Sequence, residues 1–266
     1  TDDAPLQNWA RNVTFAPERV ARPRSVDELR DVVASAARVR ALGTGHSFSP
    51  VAGTEGTLVL LDSLPRVLEV DAVSSTATVS AGTRWGELAP AVDAHGLALH
   101  NMGSLPHISV AGSASTGTHG SGSGLGCLAT AVRSLDLVTA DGAMRTLRRG
   151  DADFDGSVVA LGSLGVVTAL TLDLQPAYEI EQTVWEGLPF DVAVERFDDV
   201  MGAAYSVSLF TTWTGHGFEQ VWVKRRVDGD PVDLRWTGSR PADGPRHPVP
   251  DVAADACTEQ GGAAGP

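Results

Sequence analysis

Apolar positions along the chain follow two periodicities, and they separate helices from strands. After Pro23, the run SVDELRDVVASAARVR sets Val26, Leu29, Val32, Val33 and Ala36 on one face, and Ser25 followed three residues on by Glu28 forms a capping box. An amphipathic helix is expected there. The short apolar run around Val39, Ala41 and Leu42 reads as a buried strand that ends directly in the turn LGTGHSFSP. TLVLLD, RVLEVD and TATVSAG, runs of apolar and β-branched residues split by turn residues, predict further strands. WGELAPAVDAHG predicts a short helix closed by Gly96 in the left-handed conformation. VRSLDLVTADGAMRTL predicts a hairpin turning on Asp141 and Gly142, and VVTALTLDL, residues 166–174, a strand with alternating faces.

A boundary is expected near Pro176, which divides the chain into domains 1–176 and 177–266. Beyond it YEIEQTVWEG, PFDVAVERFDDVMGAAY, SVSLFTTWT and FEQVWVKRR predict a β-α-β-β unit. From Asp228 the composition shifts to Pro, Gly, Asp and Ala without periodicity, which reads as an ordered loop or a frayed tail.

Charge narrows the partners. Twenty basic against thirty-three acidic residues give a formal charge of -13, a field that repels phosphate backbones and anionic lipid, so nucleic acid is not an expected partner. No stretch approaches the about 20 apolar residues that a membrane span needs. Cys127 and Cys257 lie far apart with no CxxC, which argues against a disulfide framework or a structural zinc and for a reducing, cytoplasmic setting. His95, His100, His107, His216 and His247 show no metal-ligand spacing, so no metal is expected.

Two uncharged segments carry the candidate chemistry. In LGTGHSFSP a histidine, His46, sits among glycines and hydroxyl residues, either capping something locally or meeting a ligand that the glycines let close. In NMGSLPHISVAGSASTGTHGSGSG, residues 101–124, the two histidines are the only titratable side chains. One reading of that segment is a flexible linker. Against it, Ile108, Val110 and Ala111 interrupt the polarity, and a loop this long inside a compact domain is usually functional. Gly, Ser and Thr with free N–H groups suit a pyrophosphate and a flat polar ring. GTGHS is not a Walker loop, since no Lys-Ser/Thr follows the last glycine, and it is not GxGxxG opening a helix. A dinucleotide laid across both turns is the shared reading.

LGTGHSFSP, NMGSLPHISVAGSASTGTHGSGSG and ALGSLGVVTALTLDL, in that order and spacing and joined by AAYSVSLFT, VWVKRR, HPVP and CTEQ, resemble the alditol (xylitol) oxidases of the vanillyl-alcohol oxidase superfamily. The resemblance implies an α+β chain: a PCMH-type FAD-binding domain of two α/β subdomains, followed by the first part of an α+β cap domain. It implies FAD, bound covalently through His46 to a methyl of the flavin, with Ala41, Leu42, Gly43, Thr44, Gly45, Ser47, Ser104, Ser109, Gly112, Thr116, Gly117, Thr118, His119 and Val167 as further contacts. Ser104 matches a serine near the reacting end of the flavin. Gly103 stands where relatives often carry alanine, which eases the approach of oxygen to reduced flavin. Cys127 lies beyond the glycine loop and is expected to be a packed thiol, and His107 to brace the flavin loops.

The activity implied is oxidation of the terminal hydroxyl of a xylitol- or sorbitol-type alditol to an aldehyde, with O2 reduced to hydrogen peroxide. An aldonolactone oxidase and a catalytically silent FAD-binding fragment are the alternatives. Alditol oxidases are longer than this chain and carry their polyol-clamping side chains after the CTEQ segment. The resemblance therefore raises a complementary C-terminal chain as a possible partner, and weak or absent turnover by this chain alone.

Overall fold

The computed structural model describes residues 5–249, 251–254 and 263–264; Cys257 and the CTEQ stretch lie outside them. The chain forms two compact units, residues 1–119 with 126–176, and residues 120–125 with 177–266.

The first unit contains β1 (Arg19–Ala21), α1 (Val26–Ser35), β2 (Val39–Leu42), β3 (Thr57–Leu60), β4 (Leu68–Asp71), β5 (Thr76–Ser80), α2 (Trp85–Asp93), β6 (Leu97–Ala98), α3 (Val110–Ser115), β7 (Val132–Val138), β8 (Met144–Arg148), α4 (Phe154–Val158), β9 (Val166–Asp173) and β10 (Gln175–Pro176). β1 and β2 both run parallel to β3, which lies between them. A second, antiparallel sheet has the order β4-β5-β9-β7-β8. Burial alternates residue by residue along β9, the period of two expected of that segment.

Helix α1 starts where its capping residues place it. Ser25 Oγ accepts from Glu28 N at 3.1 Å, and Glu28 in turn accepts from Arg24 N at 2.7 Å. Leu29, Val32 and Val33 are buried, packing with Ala21 and Val59 and with Val138 and Val166 of the antiparallel sheet. The expected stripe is trimmed at both ends. Val26 is exposed, and Ala36 has left the helix for an extended conformation. Ser25→Ala should lower stability by about 1 kcal/mol, the usual worth of an N-cap, measurable by urea unfolding.

The main core is the opposite face of the antiparallel sheet. Trp85, Leu88 and Val92 of α2 and Val110, Ala111 and Ala114 of α3 pack on Ala77, Val79, Leu135, Leu170 and Leu172. Gly96 closes α2 with φ +69°, and Gly142 turns the β7-β8 hairpin with φ +76°. β2 differs from its expectation: only Leu42 is buried. It is an edge strand. One side of it faces a cavity.

The second unit is a sheet of order β12-β13-β11-β14, built from β11 (Ile180–Pro189), α5 (Phe190–Glu195), α6 (Phe197–Met201), β12 (Ser206–Phe210), β13 (Gly217–Arg226), β14 (Arg240–Pro241) and β15 (Ala263–Ala264). The expected single helix is two short ones that bend at Arg196 (φ −120°, ψ 33°). Its apolar positions spread over more than one face, and the bend turns Ala193 and Val200 both inward. The segment after Asp228 is neither loop nor frayed tail throughout. β14 pairs with Trp185 and Glu186 and β15 with Ile180 and Glu181, so the edge of β11 is partly covered. Two-residue strands are too short to leave a periodic signature. Glu186 ties this segment down through Arg240 at 3.3 Å and Arg246 at 2.7 Å.

Candidate functional site

The turn Gly43–Ser47 leaves the C-terminal end of β2, the end of a parallel strand at which α/β sheets hold ligands. Residues 8–12 clasp it. Trp9 N donates to Gly45 O at 2.8 Å, Asn8 Nδ2 to Ser47 O at 2.9 Å, and Asn12 Nδ2 to Phe48 O at 2.9 Å. Asn8 is buried, and its amide also reaches Asn12 Oδ1 and takes Val13 N, so its polar atoms are satisfied. Gly45 has φ +68°, which a side chain would strain.

His46 is held on three sides. Its Nδ1 lies 3.0 Å from Thr44 Oγ1, the Trp9 indole stacks on its ring at 5.3 Å and 21°, and the His107 ring packs at 4.6 Å and 54°. Nε2 of His46 is buried and has no hydrogen-bond partner among the described residues. A buried ring nitrogen in that state normally costs free energy and asks for a ligand. Burial first, then His107 and Arg84, hold the imidazole below its ordinary pKa. The folded chain therefore binds a proton here less readily than the unfolded one. This contribution to stability is complete above the ordinary imidazole range and is lost as pH falls through it.

The 101–124 segment is anchored rather than free over its first part. Trp85 N donates to Ile108 O at 3.2 Å, Gly86 N to Pro106 O at 2.7 Å, and Val110 N to Thr83 O at 2.8 Å, so the start of α2 grips residues 106–110. Thr118 N donates to Ser113 O at 3.0 Å and Leu128 N to Thr118 O at 2.8 Å. A flexible linker would leave these groups to water. The two glycine turns meet: Ser109 N donates to Thr44 Oγ1 at 3.3 Å. A Cβ added at Gly43 or at Gly112 would lie 2.7 Å from Ser109 Oγ, so a side chain at either position would force that hydroxyl to move.

Together these turns wall a cavity of about 710 Å³ within the first unit, in the range of small-molecule sites. The whole run Ala41–Ser47 lines it, with Ser109, Gly112, Thr116, Thr118 and Val167. Four other expected site residues do not. Gly103 lies beside Thr118 and His119, Gly117 beside Val159, and Ser104 and His119 are exposed. Cys127, a half-buried free thiol, is also outside the lining. The chain adds wall residues not expected from its sequence: Arg40, Asp62, Arg66, Arg84, Ser80, Gly82, Leu161, Gly162 and Gly165. The small-residue runs SAGT after β5 and ALGSLG before β9 were the available signal for some of them. The arginines carried none, being scattered singly.

An extended, partly polar site with glycine-lined walls and one imidazole whose Nε2 has no partner among the described residues suits a large flat cofactor with a phosphate-bearing tail. Comparison with known proteins agrees. The family model described as an FAD binding domain matches residues 17–148. The chain is similar to an alditol oxidase of Streptomyces sp., 51% identical over 264 residues, covering 98% of this chain and 63% of the relative. It is similar to L-gulonolactone oxidase of Bos taurus, 38% identical over 186 residues, covering 68% of this chain and 42% of the relative. Its fold resembles that of cholesterol oxidase from Brevibacterium sterolicum, with TM-score 0.69 and 16% identity, covering 85% of this chain and 48% of that one. This chain thus spans about 63% of the length of the alditol oxidase that it matches.

Proposed function

We propose that this chain, whose residues 17–148 match the FAD binding domain family, is the cofactor-bearing part of an FAD-dependent oxidase of alditols, with His46 as a covalent tether. The reaction is oxidation of a terminal hydroxyl of a xylitol- or sorbitol-type polyol to the aldehyde, with O2 reduced to hydrogen peroxide. Similarity to the Streptomyces alditol oxidase along 98% of this chain supports the substrate class. The observation that carries the cofactor reading is the buried, unpartnered Nε2 of His46 at the wall of a cavity lined by two glycine turns.

Bound FAD supplies a two-electron acceptor that takes electrons from an alcohol and passes them to O2. The chain's own residues bind and orient it. Gly43 and Gly112 keep the wall bare, while Ser109 and Thr44 lock the turns together. Thr116, Gly117, Thr118 and His119 are assigned to the pyrophosphate and ribityl chain. A neutral imidazole is a competent nucleophile, and burial lowers the His46 pKa in the direction that favours that form. Ser104 is assigned to the substrate hydroxyl. A cytoplasmic setting is consistent with the free thiol of Cys127. Among the described residues no helix is long and apolar enough to cross a membrane.

Gly103 offers a clean test of oxygen access. An added methyl has room, since the nearest atoms would be Thr118 Cγ2 at 3.8 Å and His119 O at 4.0 Å. Gly103→Ala should leave FAD loading unchanged and slow reoxidation of the reduced protein about tenfold, a barrier rise of about 1.4 kcal/mol, read by stopped-flow absorbance.

The substrate test is peroxide release by the FAD-loaded protein with xylitol and with L-gulono-1,4-lactone, with and without a second chain supplying the rest of the alditol oxidase length. Peroxide from the alditol upholds the reading. Peroxide from the lactone alone replaces it with an aldonolactone oxidase, the reading that the Bos taurus relative favours. A flavin-loaded protein silent toward both is an FAD-binding module without turnover.

A further inference from the structure

We propose that Lys224, with Gln182 and Ser206 on either side of it, forms a binding row on the second unit for the hydroxyl groups of an uncharged polyol. The proposal rests on the alditol reading above and adds residues that grip the chain of hydroxyls. Strand register makes the row. Lys224 of β13 stands directly opposite Ser206 of β12 and Gln182 of β11, so all three share one face of the sheet. At a strand spacing of about 4.8 Å the row is about 10 Å long, the reach of a five- or six-carbon polyol. The other face is occupied. Trp185, Val207, Val221 and Val223 pack there with Ala193 of α5 and Val200 of α6.

The chemistry of the row is that of a ligand site. Lys224 is the only lysine of the chain. Its amine has no hydrogen-bond or ion-pair partner among the described residues, and burial pushes its pKa down. Gln182 is 4% exposed, and its side-chain amide likewise has no partner among them. Ser206 is buried, and its Oγ meets Ser121 Oγ, which leaves the hydroxyl further capacity to accept. Withdrawing an amine and an amide from water without partners costs free energy, which hydrogen bonds to a ligand offset. The amine donates, while the amide and the hydroxyl both donate and accept, the mixture that a run of alcohol groups needs. An anion is served less well. The next side chain on this face of β13, Arg226, is committed to Asp228 at 3.2 Å and to the Tyr178 ring at 4.7 Å. On the other side of Lys224, Trp222 meets the Phe210 ring at 5.5 Å and offers apolar surface to a carbon chain.

The experiment uses the single lysine as its own reporter. FAD-loaded protein, with and without a second chain supplying the rest of the alditol oxidase length, is treated with acetic anhydride as xylitol is added. Acetylation of Lys224 is read by peptide mass, and calorimetry gives the affinity for xylitol. Saturating xylitol should slow acetylation of Lys224 at least about tenfold, and Lys224→Met and Gln182→Leu should each bind xylitol about tenfold more weakly while still retaining FAD. Wild-type affinity in both variants would overturn the proposal. So would acetylation that bound xylitol leaves unchanged, or a Lys224 that stays unreactive without xylitol, since a sealed amine is part of the packing. These last two readings need no variant to fold. If xylitol binds the wild-type protein in neither format, the alditol reading fails first and takes this inference with it, whereas binding that survives both substitutions removes this inference alone.

Discussion

Replacing His46 with alanine is expected to abolish the added mass of one FAD on the denatured chain while leaving the fold intact. The wild-type chain should carry that mass. The ring is the one imidazole that lines the cavity, and its Nε2 has no partner among the described residues. Removing it deletes the nucleophile but leaves the glycine walls, the Ser109-Thr44 contact and the clasp by residues 8–12, all of which are made by other atoms. His46→Ala should therefore still turn yellow with FAD, release it on denaturation, and gain thermal stability that rises with the logarithm of free FAD, as reversible ligands do. An unmodified wild-type chain in the presence of FAD would count decisively against the tether.

Trp85→Ala should have the largest effect on stability. The side chain is 1% exposed, the largest of the fully buried ones among the described residues, and belongs to the main core. Large aromatic-to-alanine changes in such sites cost about 3–5 kcal/mol, a large share of the stability of a domain. The indole Nε1 also donates to Ser113 Oγ at 2.8 Å, which leads directly into the cofactor loop. Denaturant unfolding should show the loss, and FAD retention should fall with it, because α3 loses its support. Trp85→Phe separates the two contributions. It keeps most of the apolar volume and forfeits the hydrogen bond, worth about 1 kcal/mol.

Much of this architecture was legible because its signals are local. Ser25 and Glu28 mark a helix start through contacts three residues apart, and Asp141-Gly142 marks a hairpin through its own turn geometry. The burial alternation of β9 repeats at the period of its sequence. The misread elements were those whose state depends on distant neighbours. β2 looked buried, but it is an edge strand whose side faces the cavity. The single helix after Pro189 breaks at Arg196 because two buried positions must both turn inward. β14 and β15 exist only by pairing with β11.

For the site the division is similar. By itself, the sequence determined that two uncharged, glycine-rich turns each carry a histidine, and hence the class of cofactor that they suit. Residue type is enough for that, since glycine frees the backbone and Gly, Ser and Thr leave N–H and hydroxyl groups open to a phosphate and a flat polar ring. Only the tertiary structure decided that the turns meet, joining Ser109 to Thr44 across 65 residues of chain. It also decided that Trp9, with no motif to announce it, encloses His46 together with His107, and that isolated arginines complete the wall. Such contacts arise from how strands and helices pack against one another, and packing is a property of the whole folded unit that no short window of sequence contains.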